Sequence, residues 1–252
     1  MLRTIERTDQ ILKTFTLERP EWGITELAAE LGWSTSTTHD LVSSLAEIGF
    51  LKKSRKRRYR VGWRVLELSH VVLGSSTLQI EARQGMEQFA AKYDETILLG
   101  VLAGGMVLYA EKIMANHFPI SELPTPGGRF PAHASAAGKV LLAHLSAEDL
   151  QAIISEHGLQ QMTPKSIQSA SMLTDELERV EAQGHAYEFE ESFLGYGSVA
   201  APICDYSGQV VASLCVTAPI QQFKRRLDDF RGEIVQTANQ ISRRLGHMAF
   251  TA

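Results

Sequence analysis

Hydrophobic residues at helical spacing mark the first part of the chain. Leu27 and Leu31 fall on one face of a short predicted helix. Thr25 is placed to cap this helix, and Gly32 to end it. An earlier apolar stripe over residues 4–17 predicts another helix, which the following Arg-Pro pair stops. These elements predict a small helical head.

A second amphipathic helix follows after a tight turn. Ser34 is its predicted N-cap, and Gly49 follows its last turn. Its predicted buried stripe is Leu41, Val42, Leu45 and Ile48. A helix-turn-helix of this kind reads bases through the start of its second helix. The residues expected to face DNA are Thr35, Ser36, Thr37, His39 and Asp40, together with Thr25.

A basic run behind this helix predicts the wing of a winged helix. It holds no acidic residue over positions 52–60. Its basic residues are Lys52, Lys53, Arg55, Lys56, Arg57, Arg58 and Arg60, of which we expect Lys52, Lys53, Arg57, Arg58 and Arg60 to contact DNA. A charge run alone is more often a solvated face, but its place behind a helix-turn-helix favours phosphate binding.

The apolar stretch 63–73 predicts a linker helix that pairs with its copy in a dimer, the alternative being a core helix of the second domain. Gly74-Ser75-Ser76 marks the joint. The predicted organisation is a DNA-binding domain over 1–62, a linker helix over 63–76 and a larger domain over 77–252.

Runs rich in Val, Ile, Leu and Tyr alternate with helical stretches in the larger domain. Short turns at 103–105 and 205–208 join strands as hairpins, so the sheet is predicted to be antiparallel or mixed. The predicted strands are 96–102, 107–113, 185–189, 198–204 and 210–217, and the predicted helices are 78–93, 135–145, 147–157, 172–183 and 221–245. The fold class is therefore α+β.

The segment 131–139, PAHASAAGK, opens one of these helices with very small residues. Unshielded backbone N–H groups at a helix start favour an anion, of which a carboxylate is the simplest organic example. Ser135 lies at this start, followed by Ala136 and Ala137. Close packing of the helix on the sheet also requires Ala and Gly and is the alternative explanation.

Composition excludes several classes of protein. The net charge is −4, yet basic residues cluster at 52–60, as expected of a DNA-facing head on an acidic remainder. No apolar run approaches the ~20 residues of a membrane helix, and the first ten residues lack the apolar core of a secretory signal. Cys204 and Cys215 have no metal-ligand spacing. We expect a cytoplasmic protein with no metal and no cofactor.

Catalytic constellations are also missing from the pattern. His133 and Ser135 are two positions apart, no G-x-S-x-G elbow occurs, and carboxylates such as those at 188, 190 and 191 are more often solvated charge at the end of a helix or strand. We therefore predict that the protein is not an enzyme.

The motifs and their order resemble the IclR family of bacterial transcription regulators over nearly the whole chain. The matching segments are ITELAAELGWSTSTTHDLVSSLAEIGFLKK, RYRVG, PAHASAAGKVLLAHLS, TPKSI, GHAYEFEE and GSVAAPICDYSGQVVASLCVTAP. The resemblance implies a winged helix-turn-helix joined by a linker helix to a GAF-like effector-binding domain. It also implies a homodimer or tetramer on a palindromic operator in double-stranded DNA.

The resemblance implies that the effector lies between the helix start and the sheet. Its contacts would fall on Ala136, Ala137, Glu188, Ser198, Cys215 and Thr217, next to Ser135. The last four of those positions more commonly hold Asp, Cys, Ser and Ser, so the pocket carries over better than the identity of its ligand. As an alternative, Ser198 and Thr217 are ordinary strand residues satisfied by their neighbours.

The sequence thus predicts a transcription regulator whose operator affinity is modulated by a small organic acid, carboxylic or aromatic. A ligand-sensing scaffold protein that uses the winged helix for protein contacts is the alternative.

Overall fold

The computed structural model describes residues 2–54, 56–114 and 123–247, and the chain divides into two compact units, 1–76 and 77–252. The N-terminal unit contains four helices and a two-stranded hairpin among its described residues. They are α1 Arg3–Lys13, α2 Ile24–Leu31, α3 Thr35–Glu47, β1 Leu51–Lys53, β2 Tyr59–Val61 and α4 Arg64–Ser75.

One apolar cluster holds α1, α2, α3 and the hairpin of the N-terminal unit together. Its buried members are Ile11, Trp22, Leu27, Val42, Leu45, Leu51 and Tyr59. Trp22 and Tyr59 also exchange two backbone hydrogen bonds, of 2.9 and 2.8 Å. This pairing ties the second strand of the hairpin to the segment before α2, so the wing belongs to the same folded body as the helix-turn-helix.

Local signals predict these helices well, with three exceptions. Gly23 is the N-cap of α2, so the predicted capping role of Thr25 is wrong. The first helix ends at Lys13 rather than continuing to residue 17. Ile48, predicted to be buried, is 61% exposed, because α3 ends at Glu47 and Ile48 turns away from the helix face.

The C-terminal unit is built on a six-stranded antiparallel sheet of order β5-β4-β3-β8-β7-β6. The strands are β3 Thr96–Ala103, β4 Met106–Ile113, β5 Arg129–Pro131, β6 Ala186–Phe189, β7 Tyr196–Cys204 and β8 Val210–Pro219. The helices are α5 Thr77–Tyr93, α6 Ala136–Leu142, α7 Ala147–His157, α8 Ala170–Gln183, α9 Ile220–Arg225 and α10 Leu227–Arg244, and a 3-10 turn spans Ala132–Ala134. This confirms the predicted α+β class.

Alternating side chains of the sheet feed two separate cores. Leu99, Val199 and Leu214 face α5 and α10, whereas Leu98 and Ala200 face α6 and α8. The period-2 alternation of strands produces this division. The polar strand residues predicted to contact an effector, Glu188, Ser198 and Thr217, alternate in phase with Ala186, Ala200 and Cys215. They therefore lie on the face of the sheet that packs against α6.

Candidate functional site

The start of α3 presents a polar surface in the N-terminal unit. The Ser34 hydroxyl accepts the backbone N–H of Thr37 at 3.2 Å, which confirms the predicted N-cap. Thr38 is buried and its hydroxyl donates to the Ser34 carbonyl at 3.1 Å. The side chains left at the surface are Thr35, Ser36, His39 and Asp40, with Thr37 half-buried, and Thr25 is exposed on α2. Short side chains at this helix start suit close approach to a groove.

The wing is the antiparallel pair β1–β2 and its turn. Lys52 pairs with Arg60 across the two strands, and both side chains are exposed. Lys53 is exposed as well, and Arg57 occupies the turn with a φ of 56°. Arg55 lies outside the described residues. The wing therefore carries at least four exposed cations, Lys52, Lys53, Arg57 and Arg60, around one hairpin.

Arg58 differs from its neighbours because its guanidinium is already paired. Its two terminal nitrogens donate to the two carboxylate oxygens of Glu26, each at 2.8 Å, and one also donates to the Glu21 carbonyl at 2.9 Å. The hydrogen bond from Arg58 lowers the pKa of Glu26 to about 2. Arg58 thus fastens the wing turn to α2, a role that the sequence pattern did not reveal.

Three of the predicted effector residues form one row across the sheet of the C-terminal unit. Glu188 on β6 is opposite Ser198 on β7, which is opposite Thr217 on β8. The Ser198 hydroxyl donates to Glu188 Oε2 at 3.0 Å and lies 3.0 Å from the Thr217 hydroxyl. We call Glu188, Ser198 and Thr217 the polar row. The row satisfies its own hydrogen bonds, as the alternative interpretation of Ser198 and Thr217 expected.

A small pocket lies against this row. Its lining contains the predicted residues Ser135, Ala136, Ser198, Cys215 and Thr217, joined by Tyr109, Leu123, Pro124, Phe130, Ser192 and Phe193. Glu188 is fully buried behind Ser198 and Ser192 and does not line the pocket. The space enclosed is about 10 Å³, the room of roughly one water. Binding an organic acid therefore requires the lining to move outward.

Tyr109 and Ser192 are the polar lining residues that sequence reasoning missed. Tyr109 occupies a core-facing position of β4, where its hydroxyl brings a polar atom to an apolar face. Burial raises the pKa of the Tyr109 phenol, which stays neutral. Tyr109 belongs to no motif that marks a binding site, so no sequence signal singled it out.

Glu188 has an unusual electrostatic setting. Its Oε1 accepts the backbone N–H groups of Glu191 at 2.5 Å and Ser192 at 2.9 Å. Burial raises the pKa of Glu188 to about 7, although these hydrogen bonds and that from Ser198 oppose the rise. The carboxyl group therefore changes its protonation state near neutral pH.

The helix start packs as tightly as the alternative explanation required. Every residue of α6 is buried. A Cβ on Gly138 would lie 2.1 Å from the Ala132 carbonyl oxygen, so only glycine fits there. Ser135 accepts the Gly138 N–H at 3.1 Å, and Ala137 is fully buried. Burial raises the pKa of Cys215 to about 12, which keeps the thiol neutral.

Lys139 connects α6 to the loop that follows β6. Its side chain is 1% exposed, and its Nζ lies 2.7 Å from Glu191 and 3.2 Å from Glu176. It also donates to the Tyr187 carbonyl at 3.1 Å. Because Glu191 also donates its backbone N–H to Glu188 and is followed by the lining residue Ser192, this ion pair fixes the loop beside the pocket.

Within the part of the chain that the structure describes, no His, Cys, Asp and Glu side chains gather into a group that could hold a metal. In the same residues no helix is long and apolar enough to cross a membrane.

Comparison with known proteins finds a matching family model for each of the two units. Residues 70–243 match the family described as bacterial transcriptional regulator IclR C-terminal, and residues 4–55 match the IclR helix-turn-helix domain. The chain is 31% identical over 255 residues to the HTH-type transcriptional regulator XynR of Escherichia coli strain K12, covering 99% of each chain.

Solved structures share the fold. An IclR homologue from Microbacterium hydrocarbonoxydans, complexed with 4-hydroxybenzoate, is 25% identical with a TM-score of 0.82, covering 96% of this chain and 98% of that one. An IclR-type regulator from Silicibacter sp. TM1040 is 21% identical with a TM-score of 0.87, covering 98% of each chain. The named relatives are regulators rather than enzymes, which confirms the non-enzymatic prediction. The chain belongs to the IclR family of bacterial transcriptional regulators.

Proposed function

We propose that this regulator binds a palindromic operator in the cytoplasm and that a small organic acid in the pocket beside the polar row modulates its affinity. The observation that carries the proposal is the meeting of residues from β6, β7 and β8 with the start of α6. The relative crystallised with 4-hydroxybenzoate supports an acid of the aromatic carboxylic class.

The charge of the pocket sets a condition on such a ligand. Among the described residues no lysine, arginine or histidine lines it, and the lining residue Ser198 donates a hydrogen bond to the Glu188 carboxyl behind it. A carboxylate must therefore take its hydrogen bonds from hydroxyl groups while Glu188 is protonated. Since the pKa of Glu188 is about 7, affinity for a carboxylate should fall about tenfold for each pH unit above that value.

Titration calorimetry with 4-hydroxybenzoate and simple carboxylic acids tests the ligand. Ser198→Ala removes a hydroxyl of the polar row without adding bulk to the pocket, so it should weaken binding at least tenfold. Ser171→Ala, at an exposed position on α8, is the matched control and should leave binding unchanged. If every acid binds both variants equally, the ligand lies elsewhere.

For the DNA interface we propose that the start of α3 enters the major groove and that the wing contacts phosphates. Lys52, Lys53, Arg57 and Arg60 are exposed and suit phosphate contact. Each of these cations that contacts a phosphate releases about one counterion on binding. Removing one of them should therefore lower by about one the slope of the logarithm of affinity against the logarithm of salt concentration. Arg57→Ala should weaken DNA binding at all sequences without changing the melting temperature.

We further propose that residues 63–76 form the linker helix of a dimer. On α4 the side chains of Leu66 and Val72 are 59% and 64% exposed, and Trp63 before it is 67% exposed. Apolar groups at this exposure favour burial against a second copy of the same helix. Two heads related by a two-fold axis read half-sites about 34 Å, or a multiple, apart.

Sedimentation of Leu66→Lys tests this pairing. The wild-type protein should sediment as a dimer or tetramer and the variant as a smaller species. Glu67→Gln, also exposed on α4 but about 100° around the helix from Leu66, is the control and should keep the wild-type mass. A variant that stays fully associated would remove α4 from the interface.

The scaffold alternative uses the winged helix for protein contacts. It predicts only weak, sequence-indifferent DNA binding, and no loss of function from Arg57→Ala. Measuring operator affinity for that variant separates the two functions.

A further inference from the structure

A second cavity in the C-terminal unit is lined in part by the 3-10 turn, through Ala132 and His133. Its volume is about 140 Å³. Its apolar lining includes Met106 of β4, Leu142 of α6, Leu173 of α8, and Ile153 and Ile154 of α7. None of these five side chains lines the pocket beside the polar row.

The size of this cavity points to a ligand. Protein interiors are close-packed and contain few spaces larger than a water molecule. A dry, aliphatic space of about 150 Å³ accepts a benzene ring. The cavity has nearly that volume, and its walls are mostly aliphatic.

Two imidazoles add polarity at defined places. His133 is buried, and its Nε2 lies 3.0 Å from the Gln160 carbonyl oxygen. Because a carbonyl only accepts, Nε2 carries the hydrogen, and Nδ1 of the neutral ring is an acceptor. Burial lowers the pKa of His133, which favours this neutral form.

His157 stands at the entrance of the cavity. Its side chain is 31% exposed, and its ring occupies the space above Gly105, where a Cβ would lie 2.5 Å from the imidazole. Gly105 has a φ of 73° in the turn between β3 and β4. The absence of a side chain at Gly105 therefore gives the His157 ring its place beside the opening.

We propose that this cavity, the apolar cavity, is a second ligand site that takes a neutral, single-ring molecule with one hydrogen-bond donor, of the phenol class. The ring occupies the aliphatic space, and the hydroxyl donates to Nδ1 of His133. A carboxylic acid is excluded at neutral pH, because none of the described lining residues is a lysine or arginine that would pair with its buried charge.

The apolar cavity shares one chain segment with the pocket beside the polar row. Ala132 and His133 line the apolar cavity, whereas Ser135 and Ala136, in the same short segment, line the other pocket. The 3-10 turn Ala132–Ala134 is continuous with Ser135, so it joins the linings of the two sites along the chain. An occupant that shifts this turn should also shift Ser135 and Ala136.

Titration of the full-length protein with phenol and with toluene tests the proposal. Phenol should bind saturably, one molecule per chain, and toluene should bind more weakly because it lacks the donor. Ile153→Phe should weaken phenol binding at least tenfold by filling the space. Leu150→Phe, on the same helix but outside the cavity lining, should bind phenol as the wild type does.

His133→Leu separates the hydrogen bond from the apolar space. In this variant phenol and toluene should bind with equal affinity. Leu159→Phe, in the loop after α7, is a second filling variant if Ile153→Phe does not fold, as judged by circular dichroism. Absence of phenol binding, or phenol binding that survives the filling variants, would overturn the proposal. A preference for phenol that persists in His133→Leu would overturn the assigned hydrogen bond.

Discussion

Replacing Glu188 with Gln tests the electrostatics of the polar row. Glutamine copies the protonated carboxyl group. Its carbonyl oxygen can accept the N–H groups of Glu191 and Ser192, and its amide can donate to the Ser198 oxygen, which still reaches Thr217. The substitution thus removes the ionisation and keeps the hydrogen-bond partners, while the bond with Ser198 reverses its direction.

The magnitude follows from the proton affinity of the two states. The pKa of Glu188 is about 7 in the folded protein against 4.5 for an unperturbed glutamate. At about 1.4 kcal/mol for each tenfold change in proton affinity, ionisation of the folded state costs roughly 3 kcal/mol above pH 8. The folded pKa is raised, so the wild type gains stability as the pH falls from 8 through 7 and toward 4.5.

Glu188→Gln should therefore be more stable than the wild type by roughly 3 kcal/mol at about pH 8.5. The difference should shrink as the pH falls and close near pH 4, where the carboxyl group is protonated in both the folded and the unfolded chain. Glu178→Gln, an exposed position on α8, controls for the loss of one charge.

Urea denaturation measures this difference, because the two units carry different reporters. All three tryptophans, Trp22, Trp33 and Trp63, lie in the N-terminal unit. Tryptophan fluorescence should show an unchanged transition, while circular dichroism shows the shift of the C-terminal unit. A stability gap that is the same at pH 5 and pH 8.5, or a destabilised variant at high pH, would refute the reasoning.

The remaining predictions concern packing and ion pairs. Gly138→Ala should cost the C-terminal unit about 3 kcal/mol, because the new Cβ meets the backbone of Ala132; a melting temperature equal to wild type would contradict this. Lys139→Met should cost about 3–5 kcal/mol in urea denaturation by leaving Glu191 buried without its cation, and adding Glu191→Gln should restore part of the loss. Arg58→Ala should lower the melting temperature of the N-terminal unit, read by tryptophan fluorescence; if only DNA affinity falls, the pairing with α2 is not structural.

Features with local causes were predictable from the sequence. Ser34 begins α3 through a side-chain hydrogen bond, and Gly32 ends α2 through backbone hydrogen bonds, all within a few residues. The same holds for α7, whose observed limits equal the predicted ones. The runs rich in Val, Ile, Leu and Tyr, with the turns between them, likewise predicted five of the six strands of the described sheet.

Features with distant causes were not predictable. The partner of Arg58 is Glu26, 32 residues earlier, and no local pattern links them. β5 has three residues, too few to show alternation, and exists because it pairs with β4. The predicted last helix is divided at Arg226, whose φ of −118° separates α9 from α10.

The candidate pocket shows the same division. The register that aligns Glu188, Ser198 and Thr217 depends on strand pairing over nearly 30 residues. No local pattern reveals that pairing, so only the family resemblance predicted that these residues lie together. Tyr109 and Ser192 come from further elements and had no motif to mark them. Why the lining leaves so little space in this structure also lies beyond sequence reasoning.

The most direct test of the account is fluorescence anisotropy with DNA from upstream of the protein's own coding region, across a salt series, with and without 4-hydroxybenzoate and other small carboxylic acids. We predict tight binding that weakens steeply with salt and is shifted by at least one acid, the shift being larger at pH 6 than at pH 8.5. Weak binding that is indifferent to DNA sequence and to every acid would contradict it.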